Sequence, residues 1–317
     1  MKYLTLHSGD SLPMVGLGTW KADPGTVGEA ILTAIDLGYR HFDCAAIYGN
    51  EAEIGAALAS AMASGAVSRN ELFITSKLWN NAHREQQVQP ALEKTLADLR
   101  LDYLDLYLMH WPVAVKEGVA IASSAEEFLS LDEVPLSETW QGMECCVDQG
   151  LVRNIGVSNF SASKLAGLMD RCRLQPAVNQ VEGHPLLRQQ ALKDFCDANA
   201  IAITAYSPLG SGDRPEQMKA ADEPALQEIP EVVAIAAANN ITPAQVLIAW
   251  AVNRGTAVIP KSVNPERLAM NLACGDIALT AEDMHKLNAL DQHFRYVTAK
   301  FFELPGGPYS AAGIWDE

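Results

Sequence analysis

The chain has 317 residues, an apolar fraction of 49% and a formal net charge of −16, enough to bury a large core but with no basic surface to spare. Nucleic acid and anionic membranes are therefore poor partners, since both demand clustered cations. No apolar run is long enough for a spanning helix, and the opening MKYLTLHSGD lacks an apolar leader region, so a cytoplasmic protein is expected.

In chain order, YLTLHSGDSLP reads as a small hairpin turning at Gly9 and Asp10, placed to plug a barrel floor. Strand patterns follow at 14–20, 41–45, 72–78, 104–110, 154–159, 177–182, 202–209 and 257–262. Helical spacing of apolar residues fills the intervals at 25–38, 51–65, 88–101, 135–150, 161–172, 188–200 and 241–255. Helix starts are marked by Ser137, Ser161 and the pair Thr242 and Pro243, and stops by Gly38, Gly65, Gly150 and Gly255. Eight strand–helix units most simply close into one (β/α)8 TIM-barrel domain over 1–317, because right-handed crossovers put every helix outside. A doubly wound sheet competes weakly: Gly16 and Gly18 begin a dinucleotide fingerprint, but Lys21 stands where its third glycine belongs. Segments 112–135 and 291–317 are too long for plain connectors and read as binding loops.

The six cysteines (44, 145, 146, 172, 196 and 274) have neither metal nor redox spacing and read as reduced thiols, with Cys145 and Cys146 on two faces of one helix. Chemistry concentrates instead in Asp43, Tyr48, Lys77 and His110, at or just beyond the C-terminal ends of three successive strand candidates. In a parallel barrel those ends form one mouth. A free phenol titrates too high for efficient proton exchange near neutrality, but a Lys held charged by an Asp would lower that value.

The runs GLGTW, GYRHFDCAAIYGNE, ITSKLWN, LYLMHWP, IGVSNF, NQVEGHP, AYSPLGS and IPKSVNPERLAMN, in this order, resemble the aldo-keto reductase family over nearly the whole length. The resemblance implies a barrel that binds a nicotinamide cofactor without a Rossmann unit. Tyr48 would be the general acid, Lys77 and Asp43 would tune it, and His110 would orient the carbonyl. Ser158, Asn159 and Gln180, ending two strands, offer partners suited to a carboxamide, and Tyr206 could stack on the ring. Thr19 and Trp20, ending the first strand, join the cofactor set, and Ser207, Leu209 and Ser211 resemble the family's phosphate loop. Lys261, Ser262 and Arg267 form a cationic cluster beside a helix start at Asn264 and Pro265, a phosphate site in sequence form. In the family the matching positions take the 2′-phosphate of NADPH, which makes NADPH (NADP+) the expected cofactor. Asn271 resembles the adenine contact, and Asp213 an acidic residue that bridges to Lys261. Met270 departs from the pattern, standing where many members carry Glu.

The substrate end reads as aromatic: Trp20, Trp79 and Trp111 follow three strands, and the tail adds Phe301, Phe302, Tyr309 and Trp315. The resemblance implies reduction of a small-molecule aldehyde or ketone by a monomer, with His110 at the substrate. A non-catalytic NADPH-binding regulatory or sensor protein on the same barrel is the alternative. A Schiff-base lyase is weaker, since a Lys kept charged by Asp43 is a poor nucleophile, and the seven His show no paired metal-ligand spacing.

Overall fold

The computed structural model describes residues 2–215, 219 and 223–317. β1 (Tyr3–Thr5) and β2 (Ser11–Pro13) pair antiparallel as expected, and Gly9 reverses the chain at φ +92°, a conformation side chains resist. Leu6 and Leu12 of this hairpin pack on Phe73, Leu106, Leu108, Val178 and Ala257, so it does close the barrel floor.

The barrel then alternates in chain order. β3 (Leu17–Gly18) is followed by α1 (Val27–Leu37), β4 (His41–Asp43) by α2 (Glu51–Ala63) and β5 (Phe73–Leu78) by α3 (Glu85–Leu99). After β6 (Leu104–Met109) come the short β7 (Ala114–Val115) and β8 (Phe128–Leu129), then α4 (Leu136–Asp148). β9 (Val152–Ser158) precedes α5 (Ala162–Met169), β10 (Val178–Glu182) precedes α6 (Gln190–Ala198), and β11 (Ala202–Tyr206) precedes α7 (Pro230–Asn239) and α8 (Pro243–Asn253). β12 (Ala257–Val258) leads to α9 (Pro265–Ala273), α10 (Ala281–Asn288) and α11 (Ala311–Trp315). The eight parallel strands lie in the order β12-β11-β10-β9-β6-β5-β4-β3. The sheet curls until its ends meet: Val258 N donates to Met14 O at 2.7 Å, and Gly16 N donates to Val258 O at 2.8 Å.

Strands β5, β6 and β10 are buried along their whole length; in β6 (LDLYLM) this shows as a largely apolar run, whereas β5 (FITSKL) and β10 (VNQVE) bury polar side chains as well. Thr242 caps α8 with a reciprocal Gln245 box and Ser161 caps α5, as their positions suggest. Ser137 does not cap α4. Pro135, its φ already helix-like at −59°, holds the N-cap position, and the helix is under way at Leu136. α7, α10 and α11 fall outside the expected helices; the Ala-rich α7 has almost no polar face to set a period.

The two long segments are one structure. β7 and β8 pair as a hairpin, and the tail packs on them through Trp111, Val115, Phe128, Val297, Phe302, Tyr309 and Trp315. Tyr309 fastens the union, its hydroxyl donating to Leu129 O at 2.6 Å and accepting from Ala114 N at 2.9 Å. This assembly stands at the C-terminal ends of the strands, the face where the quartet converges.

Candidate active site

Register places the quartet. Asp43 ends β4 and pairs with Thr75 of β5, while Lys77 lies two residues on, alongside Leu108 of β6. A 3-10 turn over Ala46–Tyr48 then swings the phenol back over the strand ends. Lys77 Nζ contacts Asp43 Oδ1 at 2.5 Å, Cys44 O at 2.8 Å and Tyr48 Oη at 3.5 Å. The His110 ring meets the Tyr48 ring edge-on at 5.9 Å, and the Trp79 ring at 5.1 Å.

The electrostatics correct one expectation. Burial pushes the Tyr48 phenol up to about 12, and Lys77 offsets only part of that rise. The charge pair is visible in sequence, but the dry surroundings that outweigh it are not. Burial alone would lower the Lys77 ammonium; Asp43 and the phenol more than compensate, and it is held above its ordinary value. Burial, with Lys77 nearby, drives His110 well below the usual imidazole range, so it is neutral at neutral pH. The arrangement is a protonated phenol beside a fixed cation and a neutral imidazole.

Next to the quartet lies a hydrogen-bonded shelf. Gln180 Nε2 donates to Asp43 Oδ2 at 2.6 Å, and Ser158 Oγ donates to Gln180 O at 2.8 Å. Asn159 Nδ2 donates to His110 O at 2.9 Å and the Tyr206 hydroxyl to Asn159 Oδ1 at 2.7 Å, with Asn159 itself at φ +64°. Thr19 Oγ1 donates to Asp43 O at 2.8 Å. Thr19, Asp43, Tyr48, His110, Ser158, Asn159, Gln180 and Tyr206 line one cleft of about 880 Å³, and Lys77 lies buried behind them.

Toward its other end the cleft turns cationic. Ser207, Leu209, Ser211, Asp213, Lys261, Ser262 and Arg267 line it. Lys21 is a member that sequence reasoning missed. Its Nζ donates to Ser211 Oγ at 2.8 Å and pairs with Asp213 at 2.5 Å, while Lys261 reaches the other oxygen of Asp213 at 3.6 Å. The residue that broke the glycine fingerprint thus joins the loop after β3 to the loop after β11. Its φ of +61° was the available clue only in hindsight, since nothing in the sequence marks a left-handed lysine.

Trp20, Trp79 and Trp111 all line the mouth, with Ile47, Val115, Ile121, Phe128, Val297, Phe301 and Phe302. Three expected members fall elsewhere, Tyr309 among them, which is taken up by the β7–β8 hairpin. Trp315 packs behind Trp111 at 5.7 Å and donates to Thr298 O at 3.0 Å, supporting the wall without lining it. Asn271 is buried in α9 and does not border the cleft, whereas Met270 is exposed on the same helix.

A profile described as the aldo/keto reductase family matches residues 14–292. The chain is 55% identical over 317 residues to aldo/keto reductase slr0942 of Synechocystis sp., covering 100% of this chain and 97% of that protein. Against human aldo-keto reductase family 1 member A1 the identity is 47% over 294 residues, covering 92% and 90%. Among solved structures, the aldose reductase from Schistosoma japonicum superposes with a TM-score of 0.87 at 41% identity, covering 95% of this chain and 96% of that one. No single described helix is long and apolar enough to cross a membrane. A barrel with this order of strands, a phenol, ammonium, carboxylate and imidazole at its mouth, and relatives matched end to end together place the chain in the aldo/keto reductase family of oxidoreductases.

Proposed function

We propose that the protein reduces the carbonyl of an aldehyde or ketone to the alcohol with NADPH, acting as a cytoplasmic monomer. The observation that carries this reading is the protonated Tyr48 phenol, 3.5 Å from the Lys77 ammonium and edge-on to neutral His110, at the apolar end of a cleft whose far end holds Lys21, Lys261 and Arg267.

The donor set suits a phosphorylated dinucleotide. Cations at one end match phosphates, and the Tyr206 ring, with Asn159 and Gln180 beside it, suits a flat carboxamide-bearing ring at the other. Bound there, a reduced nicotinamide would supply a hydride. Lys261, Ser262 and Arg267 would hold the 2′-phosphate, Ser207, Leu209 and Ser211 the pyrophosphate, and Ser158, Asn159 and Gln180 the carboxamide, with Tyr206 against the ring. Thr19 and Trp20 would border the same ring, and Asn271 would act at the adenine through α9 and not by lining the cleft.

The residues of the chain do the remaining work. Tyr48 gives its proton to the carbonyl oxygen as negative charge develops there, and the raised phenol value keeps that proton in place until it is needed. Lys77, fixed by Asp43, stabilises the phenolate left behind. Neutral His110 can donate to the same oxygen and orient it. Trp20, Trp79 and Trp111, with Trp315 supporting Trp111, exclude water.

Tyr48→Phe tests the assignment. Turnover of a simple aldehyde should fall by roughly 10²–10⁴-fold, the usual contribution of a positioned general acid, while NADPH binding measured by fluorescence persists. Undiminished reduction by that variant would overturn the role of Tyr48. A wild-type protein that binds NADPH but never oxidises it with any aldehyde would favour the sensor instead.

A further inference from the structure

Glu182 ends β10, two residues beyond Gln180 and therefore on the same face of the strand. Its side chain is completely buried and borders no part of the cleft. Its Oε1 accepts from His184 Nε2 at 2.8 Å and from Tyr296 N at 2.7 Å, and its Oε2 accepts from Val297 N at 2.8 Å. Burial pushes this carboxyl up, but His184 and the two backbone amides more than compensate, and it is held below its ordinary range. Among the described residues no Lys or Arg pairs with it. A buried carboxylate without Lys or Arg is costly unless its oxygens are satisfied, and here both are.

The role of Glu182 is visible in what it grips. Tyr296 and Val297 begin the tail segment whose Val297, Phe301 and Phe302 line the substrate end of the cleft. The contacts of that wall are mostly apolar and therefore non-directional, able to slide without large penalty. Two consecutive backbone amides held by one carboxylate give it a register. We propose that Glu182 is the positioning residue of the C-terminal wall, fixing the chain at Tyr296 and Val297 so that Phe301 and Phe302 close on the substrate. What is bound there rests on the reductase reading above; the anchoring does not.

Glu182→Gln tests it with little change of volume. Whichever way the amide faces, its NH2 group opposes an N–H donor, and one tie is released. The KM for a bulky aromatic aldehyde should rise about tenfold, the equivalent of about 1.4 kcal/mol, while its kcat and the KM for propanal change by less than about twofold. Amide exchange at Tyr296 or Val297, whichever loses its acceptor, should accelerate by about tenfold or more, as followed by mass spectrometry or NMR. In a Phe302→Ala background the effect of Glu182→Gln on KM should largely vanish, because both act through one wall. Equal losses for the two aldehydes, or unchanged exchange at both Tyr296 and Val297, would overturn the proposal. If the wild-type protein reduces neither aldehyde, the reductase reading fails and the exchange measurement still decides the anchor. Should Glu182→Gln fold poorly, Val297→Pro removes a donor from the tail side, and unaltered exchange at Tyr296 there would equally count against it.

Discussion

Gln180 and Asp43 are joined across the barrel interior: Gln180 Nε2 reaches Asp43 Oδ2 at 2.6 Å although β10 and β4 are not neighbours in the sheet. Asp43 thus has one oxygen on an amide and the other on the Lys77 ammonium, and both ends of the ion pair are dry. Such a pair adds little net stability when whole but costs about 3–5 kcal/mol when one partner is removed. Lys77→Met should therefore unfold at lower urea by roughly that margin, besides losing activity. Adding Asp43→Asn should recover most of the loss. A single variant as stable as the parent would mean that Asp43 is not an ionised, isolated charge once Lys77 is gone.

Glu51 offers a separate pH test. It lies behind the site, its carboxylate accepting from Ser76 Oγ at 2.5 Å and Thr95 Oγ1 at 3.0 Å, and it has no ion-pair partner among the described residues. Burial pushes its carboxyl up from 4.5 to about 7, the two hydroxyls offsetting only part of the rise. The folded state therefore keeps a proton that the unfolded chain releases. This contribution is fully present below pH 4.5 and is lost as the pH climbs to about 7. Glu51→Gln should be more stable than the parent by roughly 3 kcal/mol above neutrality and show no such gain near pH 4, as read by denaturant titration. A gain of equal size at both pH values would contradict a protonation origin.

How far this was legible from sequence depends on the kind of interaction. Strands of a parallel barrel are buried on both faces, so β6 announces itself as an apolar run, and the polar residues ending β4, β5 and β6 announce a shared mouth. The Gln180–Asp43 bond could not be read, because chain spacing is silent about partners across a barrel. Nor could the value of the Tyr48 phenol, since a neighbouring cation is written in the sequence while desolvation emerges only when Trp20, His110 and the strand ends enclose the ring. Trp315 was assigned by its chemistry alone, and the last helix turns it behind Trp111.

The bridge over the cleft should govern how long a cofactor stays. Asp213 is paired with Lys21 and Lys261 at once, and it is half exposed, so its ion pairs are partly screened. Asp213→Ala removes the link between two loops without altering any cation that would face a phosphate. NADPH release in a stopped-flow chase should accelerate by about tenfold, with a smaller change in the association rate. An unchanged release rate would show that the two loops do not open together.

Cofactor choice should reside in Lys261 and Arg267. NADPH and NADH differ by one phosphate, so only side chains facing that phosphate can separate them. Arg267 occupies the first turn of α9, is exposed, and has no ion pair among the described residues, whereas Lys261 already shares Asp213. The helix N-terminus adds its own attraction for an anion at that spot. Met270, exposed one turn further along, introduces no carboxylate to oppose it. Arg267→Met should therefore weaken NADPH by about 10–100-fold, and Lys261→Met by less, because losing Lys261 also frees Asp213 to pair wholly with Lys21. NADH binding should change by less than about threefold in the Arg267 variant, and the salt dependence of NADPH binding should flatten as one charged contact disappears. If NADH weakens as much as NADPH, Arg267 serves the phosphates the two cofactors share, and the preference for NADPH lies elsewhere.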